Sequence, residues 1–126
     1  MLKPKAGLRP AAEASVLTEA VIRAADQLGV NARSLSAVLG VSEATVSRMR
    51  RKDFVLERGT KPFELGVLFV RLFRSLDAIV GGDETVARAW IKNPNVALEA
   101  RPLEKIITIA GLIDVIAYLD SRRALV

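Results

Sequence analysis

The densest chemistry in this sequence lies between Ser42 and Lys52, SEATVSRMRRK. Arg48, Arg50, Arg51 and Lys52 place four cations within five residues. Ser42, Glu43, Ala44, Thr45 and Ser47 stand just before them, all short or polar. Cations at that density suit a polyanion, and short polar side chains beside them suit the edges of bases. Carboxylate chemistry has less support. Asp77, Asp83, Glu84, Glu104, Asp114 and Asp120 form no spaced set with a nucleophile or with metal ligands. The chain has no His and no Cys. That removes imidazole general-base catalysis, thiolate chemistry, disulfides and the usual zinc ligand sets. An enzyme is not expected, nor a cofactor or a metal. The lack of Cys is compatible with a reducing cytoplasm.

The elements that must position this cluster follow from the spacing around it. Leu35, Val38 and Leu39 predict a short helix with one apolar face. Gly40 supplies the turn, because Gly enters a left-handed backbone without steric cost. Ser42 is a good N-cap for a second helix. In that helix Val46 and Met49 fall three apart and pack back on the first, leaving Ser42, Glu43, Ala44, Ser47, Arg48 and Arg51 outward. This is the anatomy of a helix-turn-helix, whose second helix enters the DNA major groove. The expected DNA-contact set is Ser42, Glu43, Ala44, Thr45, Ser47, Arg48, Arg50, Arg51 and Lys52. Base edges fall to Ser42, Glu43, Ala44, Ser47 and Arg48, and phosphates to Arg50, Arg51 and Lys52. The same cations would also suit the C-terminal end of any helix. An ordinary helix pair with a solvated basic end is the competing reading.

Composition supports an all-α chain. Of the 126 residues, 51% are hydrophobic, but there are only one Trp, one Tyr and four Phe, so the core must be aliphatic. The net charge of +5 is uneven. Residues 1–60 hold ten Lys/Arg against six Asp/Glu, and residues 61–126 hold nine against eight, so the excess sits with the helix-turn-helix. Residues 1–12, with Lys3, Lys5 and Arg9, read as a flexible basic arm. A helix is predicted from Glu13 to Leu28, ended by Gly29, and Asn31 can cap the next. Asp53 to Thr60 reads as a connector, with Arg58-Gly59 as its turn.

Pro62 then starts a long helix running to the Gly81-Gly82 stop. Phe63, Val67, Val70 and Phe73 are among apolar positions covering far more than one face, so burial on two sides is expected. A second copy of the chain is the expected cover on one side, which makes these four residues the dimerisation candidates. A dimer also suits a helix-turn-helix reading two half-sites. Arg71, Arg74 and Asp77 interrupt this stretch and argue against a membrane span. Asp83 caps a helix to Lys92, Asn93-Pro94-Asn95 breaks it, and Pro102 opens a last helix that again is wider than one apolar stripe.

The set Trp90, Pro94-Asn95, Leu98, Arg101-Pro102-Leu103 and Gly111 resembles the toxin-binding region of the Xre/MbcA/ParS antitoxin family. The helix-turn-helix in front resembles the Xre-type first half of the same family. The resemblance implies an antitoxin that binds and neutralises a RES-domain, NAD-degrading toxin and represses its own operon through operator DNA. Toxin contacts are then expected at Trp90, Asn95, Leu98, Arg101, Tyr118, Arg122, Arg123 and Val126. Trp90 equally suits a core, and Arg101-Pro102 a helix start. Family members often carry a longer glycine-containing tail where this sequence ends Arg122 to Val126, so tail contacts are not fixed by the match. The implied organisation is a basic arm at 1–12, a DNA-binding domain at 13–60 and a helical dimerisation and toxin-binding domain at 61–126. The alternative is a stand-alone dimeric helix-turn-helix regulator whose second half only dimerises.

Overall fold

Residues 9–124 are described by a computed structural model, and within them the chain forms seven helices and no strand. They are α1 (Pro10–Leu28), α2 (Ala32–Leu39), α3 (Glu43–Arg50), α4 (Lys61–Ile79), α5 (Glu84–Lys92), α6 (Pro102–Lys105) and α7 (Ile109–Arg123). Most starts are written locally. Asn31, Ser42, Thr60, Asp83 and Thr108 each accept a hydrogen bond from a backbone N–H three residues on. Such caps satisfy donors that a helix start would otherwise leave open. Gly29 and Gly40 end α1 and α2 at φ of 66° and 70°.

Helix α1 starts within the stretch expected to be an arm. Pro10 has the φ of a first helical residue, and Ala11 and Ala12 are strong helix formers. Residues 1–8, the rest of that arm, lie outside the described residues.

Helix α4 is the centre of the molecule. It packs on α1 along one side and α7 along the other, with further contacts to α2 and α5. Phe69, Leu72 and Leu76 are fully enclosed there. Gly66 lets α1 come close: a Cβ at that position would lie 3.1 Å from both Val21 and Leu56. The apolar breadth of α4 is therefore mostly covered by its own chain, with α7 where a second copy was expected. Val70 is buried and Phe63 and Phe73 pack on the core; of the four dimerisation candidates only Val67 is exposed.

The connector between α3 and α4 is anchored rather than free. Thr18 Oγ1, buried in α1, donates to the Ala14 carbonyl at 2.7 Å and accepts from the Leu56 N–H at 2.9 Å. Leu56 itself is enclosed in a core continuous from α1 to α7.

The last helix is two helices. Helix α6 stops at Lys105, and α7 restarts at Ile109 after the Thr108 cap. Gly111 permits the break: a Cβ there would sit 1.9 Å from the Lys105 carbonyl oxygen. Only a glycine allows that approach of two backbones. The isoleucines across the break hide it from a search for apolar periodicity.

Candidate functional site

Helices α2 and α3 pack on one another, and α3 also packs on α1. Leu35, Val38, Leu39, Val46 and Met49 are buried between them. With the apolar side fixed, Ser42, Glu43, Ala44, Ser47, Arg48 and Arg51 all face solvent, in agreement with the spacing. Thr45 departs from the expected set. It is only 8% exposed, and its hydroxyl lies 3.0 Å from Ser42 Oγ and accepts from Arg48 Nη2 at 3.2 Å. It braces the start of α3 instead of presenting a free edge.

Arg48 is drawn along the helix by that bond and lies 5.7 Å from the centre of the Phe54 ring. The stacked guanidinium stays exposed and holds a defined place beside the outward serines. Three further cations close the helix. Arg50 Nη1 meets Asp26 Oδ1 at 2.6 Å, Arg51 meets Asp53 at 3.4 Å and Lys52 meets Glu19 at 3.4 Å. These pairs are solvated and individually weak, so a phosphate can replace the carboxylate. Lys52 adopts φ of 65°; its N–H reaches the Met49 carbonyl at 3.1 Å and ends α3.

Asp26 was not among the residues expected from sequence. Its carboxylate holds Arg50, and its carbonyl accepts from Arg88 Nη2 of α5 at 2.7 Å. Arg88 Nε also donates to the Gln27 carbonyl at 3.0 Å. The last turn of α1 has no cation of its own, and a cation is what its exposed carbonyls favour. That lack was the sequence signal for a partner from elsewhere.

In the second half the expected contact residues divide. Trp90 and Tyr118 stack on each other, centroids 6.3 Å apart and planes 16° from parallel, both partly buried on the core. Asn95 builds its own loop: Oδ1 accepts from the Leu98 N–H at 3.0 Å, and its N–H donates to the Ala100 carbonyl at 3.0 Å. Leu98 packs on the core. Arg101 and Arg122 are exposed, Arg101 with a 3.4 Å pair to Glu104. Arg123 points back to Ser75 at 3.5 Å. Val126 lies outside the described residues.

Two apolar surfaces complete the picture. Between α1, α4 and α7 an open groove of about 520 Å³ is floored by Val16, Leu17, Ala20, Val67 and Val70, with Arg71, Arg74, Ser75, Asp120 and Arg123 among its lining. Asp120 there accepts from Arg71 and from Ser75. The other surface is the outer side of α7, where Ile109 and Ile113 are 61% and 46% exposed. The sequence showed that α7 was too apolar for one stripe, but not that the excess faces outward. Among the described residues no group of acidic side chains is placed to hold a metal ion, and no helix is long and apolar enough to cross a membrane.

A helix-turn-helix with a solvated, cationic second helix, carried on an all-α body, is the architecture of a DNA-binding module. The family model described as the antitoxin Xre-like helix-turn-helix domain matches residues 7–71. That described as the antitoxin Xre/MbcA/ParS C-terminal toxin-binding domain matches residues 75–124. The chain belongs to the Xre/MbcA/ParS antitoxin family, and its two domains imply DNA and a toxin as partners. The two matches meet inside α4, the helix that both halves use as core. No curated protein matches the sequence significantly.

Proposed function

We propose that this chain is the antitoxin of a type II toxin–antitoxin pair that neutralises a RES-type, NAD-degrading toxin and represses its own operon. The observation that carries the reading is the outward face of α3, polar and cationic, joined in one chain to a second half that matches a toxin-binding domain. The RES class rests on the resemblance of the Trp90 to Gly111 motif set. In this reading Ser42, Glu43, Ala44, Ser47 and Arg48 meet base edges, and Arg50, Arg51 and Lys52 meet phosphates. Each of those three cations exchanges a surface carboxylate for a phosphate oxygen, a stronger and less solvated partner. Trp90, Asn95, Leu98 and Tyr118 shape the toxin-binding half, while Arg101, Arg122 and Arg123 supply its cations. A homodimer would use Val67, assisted by Val16 across the groove, to bring two α3 helices to two half-sites. The cytoplasm is the compartment this pair of partners requires.

The test is co-expression with the protein encoded beside this one, purification through a tag on that neighbour, and measurement of NAD hydrolysis with and without this chain. A retained complex with suppressed hydrolysis is expected. Binding to upstream DNA without any retained neighbour would instead favour a stand-alone dimeric regulator.

A further inference from the structure

Among the described residues nothing covers the outer side of α7. The helix spans fifteen residues, about 22 Å at 1.5 Å per residue. Its inner side, Leu112, Val115, Ile116 and Leu119, is buried, and the helix packs on α4 and α6. Ile109, Ala110, Ile113, Ala117 and Ala124 share the opposite, exposed side, and exposed Ile107 lies just before it. The charges of α7 nearest the strip are both paired, Asp114 with Lys105 at 3.4 Å and Asp120 with Arg71 of α4. A water-facing helix ordinarily carries charge on its outer face. This one presents isoleucines four apart flanked by alanines, which is how a helix is read by an apolar groove.

We infer that the Ile109–Ile113–Ala117 side of α7 is the surface that docks the toxin, seated in an apolar groove of that protein. The inference rests on the antitoxin reading and names its contact surface. Two observations choose the toxin over other occupants. The strip falls within residues 75–124, the range matched as toxin-binding. It also lies on a helix packed against α4 and α6, whereas α3 packs on α1 and α2. A protein seated on α7 therefore engages elements other than those that hold the DNA-facing helix. The aromatic pair at Trp90 and Tyr118 plays a supporting part, since it packs α5 against α7 from within.

The experiment uses the full chain with the toxin encoded beside it. Ile113→Glu and Ala117→Arg change exposed positions and are expected to keep the helical circular dichroism and DNA affinity of the parent. Each is expected to weaken toxin binding by about 100-fold, the scale for losing a central anchor. Ala12→Glu, on the exposed first turn of α1, is expected to bind toxin as the parent does. If both α7 variants hold the toxin at parental affinity while the parent binds it, the surface is wrongly assigned and the antitoxin reading survives. If they keep toxin affinity but sediment as monomers where the parent is a dimer, a second copy covers α7 and the inference fails. A parent chain that holds no toxin overturns the antitoxin reading and this inference with it.

Discussion

The second helix of the helix-turn-helix, with its caps, turns Ser42, Glu43, Ser47, Arg48 and Arg51 to solvent; the first turns of α7 expose Ile109, Ala110, Ile113 and Ala117, with Asp114 beside them. Both helices are amphipathic in the sense that one side is buried, yet what they leave outside is opposite in kind. A hydrated polyanion is met by charges that stay wet and trade one counter-ion for another. A folded protein is met by apolar area that gains by leaving water. The two faces therefore imply partners of different chemistry and different dependence on salt. They are also supported differently. Outside its buried residues, helix α3 is braced by polar contacts of Thr45, Asp26 and the Phe54 ring, whereas α7 is seated on α4 by Leu112, Val115, Ile116 and Leu119 and begins at the backbone crossing at Gly111.

The largest effect should come from that crossing. Gly111→Ala drives a methyl group into the Lys105 carbonyl, at 1.9 Å in the unrelaxed geometry. We expect a loss of about 3 kcal/mol or more, seen as a fall in melting temperature of about 10 °C or more. Toxin capture should go with it. At temperatures where the variant is still folded, DNA affinity should stay near parental, because α2 and α3 pack on α1 and α4. Equal loss of both activities would abolish the distinction between the two faces.

Salt sharpens the same contrast. If two copies each place Arg50, Arg51 and Lys52 on phosphates, DNA affinity should fall on the order of 1,000-fold between about 50 and 200 mM salt. Toxin affinity, carried by apolar contact, should change by less than about tenfold over that range. Parallel salt dependences by fluorescence anisotropy and calorimetry would show that α7 is not the toxin's main contact.

Within α3, Arg48→Ala should cost about 1–3 kcal/mol on operator DNA and relax discrimination against other sequences. Unchanged discrimination would mean that Arg48 serves the stack on Phe54 rather than a base. The smallest effect has the opposite sign. Asp26→Asn frees Arg50 and removes a negative charge beside the phosphates, so affinity should rise a few-fold for all sequences, with a salt slope steeper by up to about one. A weaker complex would mean that Asp26 is needed to hold Arg50 in place.

The helix-turn-helix was readable because each signal is local. Gly40 and Ser42 adjoin the elements they bound, and Val46 and Met49 lie one turn apart. The cap at Asp83 was readable for the same reason. What the sequence hid depends on distant contacts. The breadth of α4 is explained by α7, nearly fifty residues on (Arg71 to Asp120 is a separation of 49). The break before α7 lies inside an apolar run, and the only written clues are Thr108 and Gly111. Trp90, Leu98 and Tyr118 are toxin-contact candidates through the family resemblance, and aromatic and apolar residues serve cores and interfaces equally. In the structure they are partly buried on the core, whereas Ile109 and Ile113 are exposed. The charges of residues 1–12 read as an arm, whereas Pro10, a residue that commonly opens a helix, starts α1 inside that stretch.

The Thr18 hydroxyl has one more consequence. It binds the Leu56 amide from within α1, 38 residues away in sequence, and both groups are buried. That amide belongs to no helix, yet it can meet water only when the connector lifts off α1. In deuterium exchange it should behave as a core amide set in a loop, exchanging with the slow helical amides of α1 and α4. Replacing Thr18 by Val keeps the side chain's size but removes the hydroxyl that both donates and accepts there. The Leu56 amide should then exchange at the pace of the surrounding turns, making one proton a reporter of how firmly the connector to α4 is tied down.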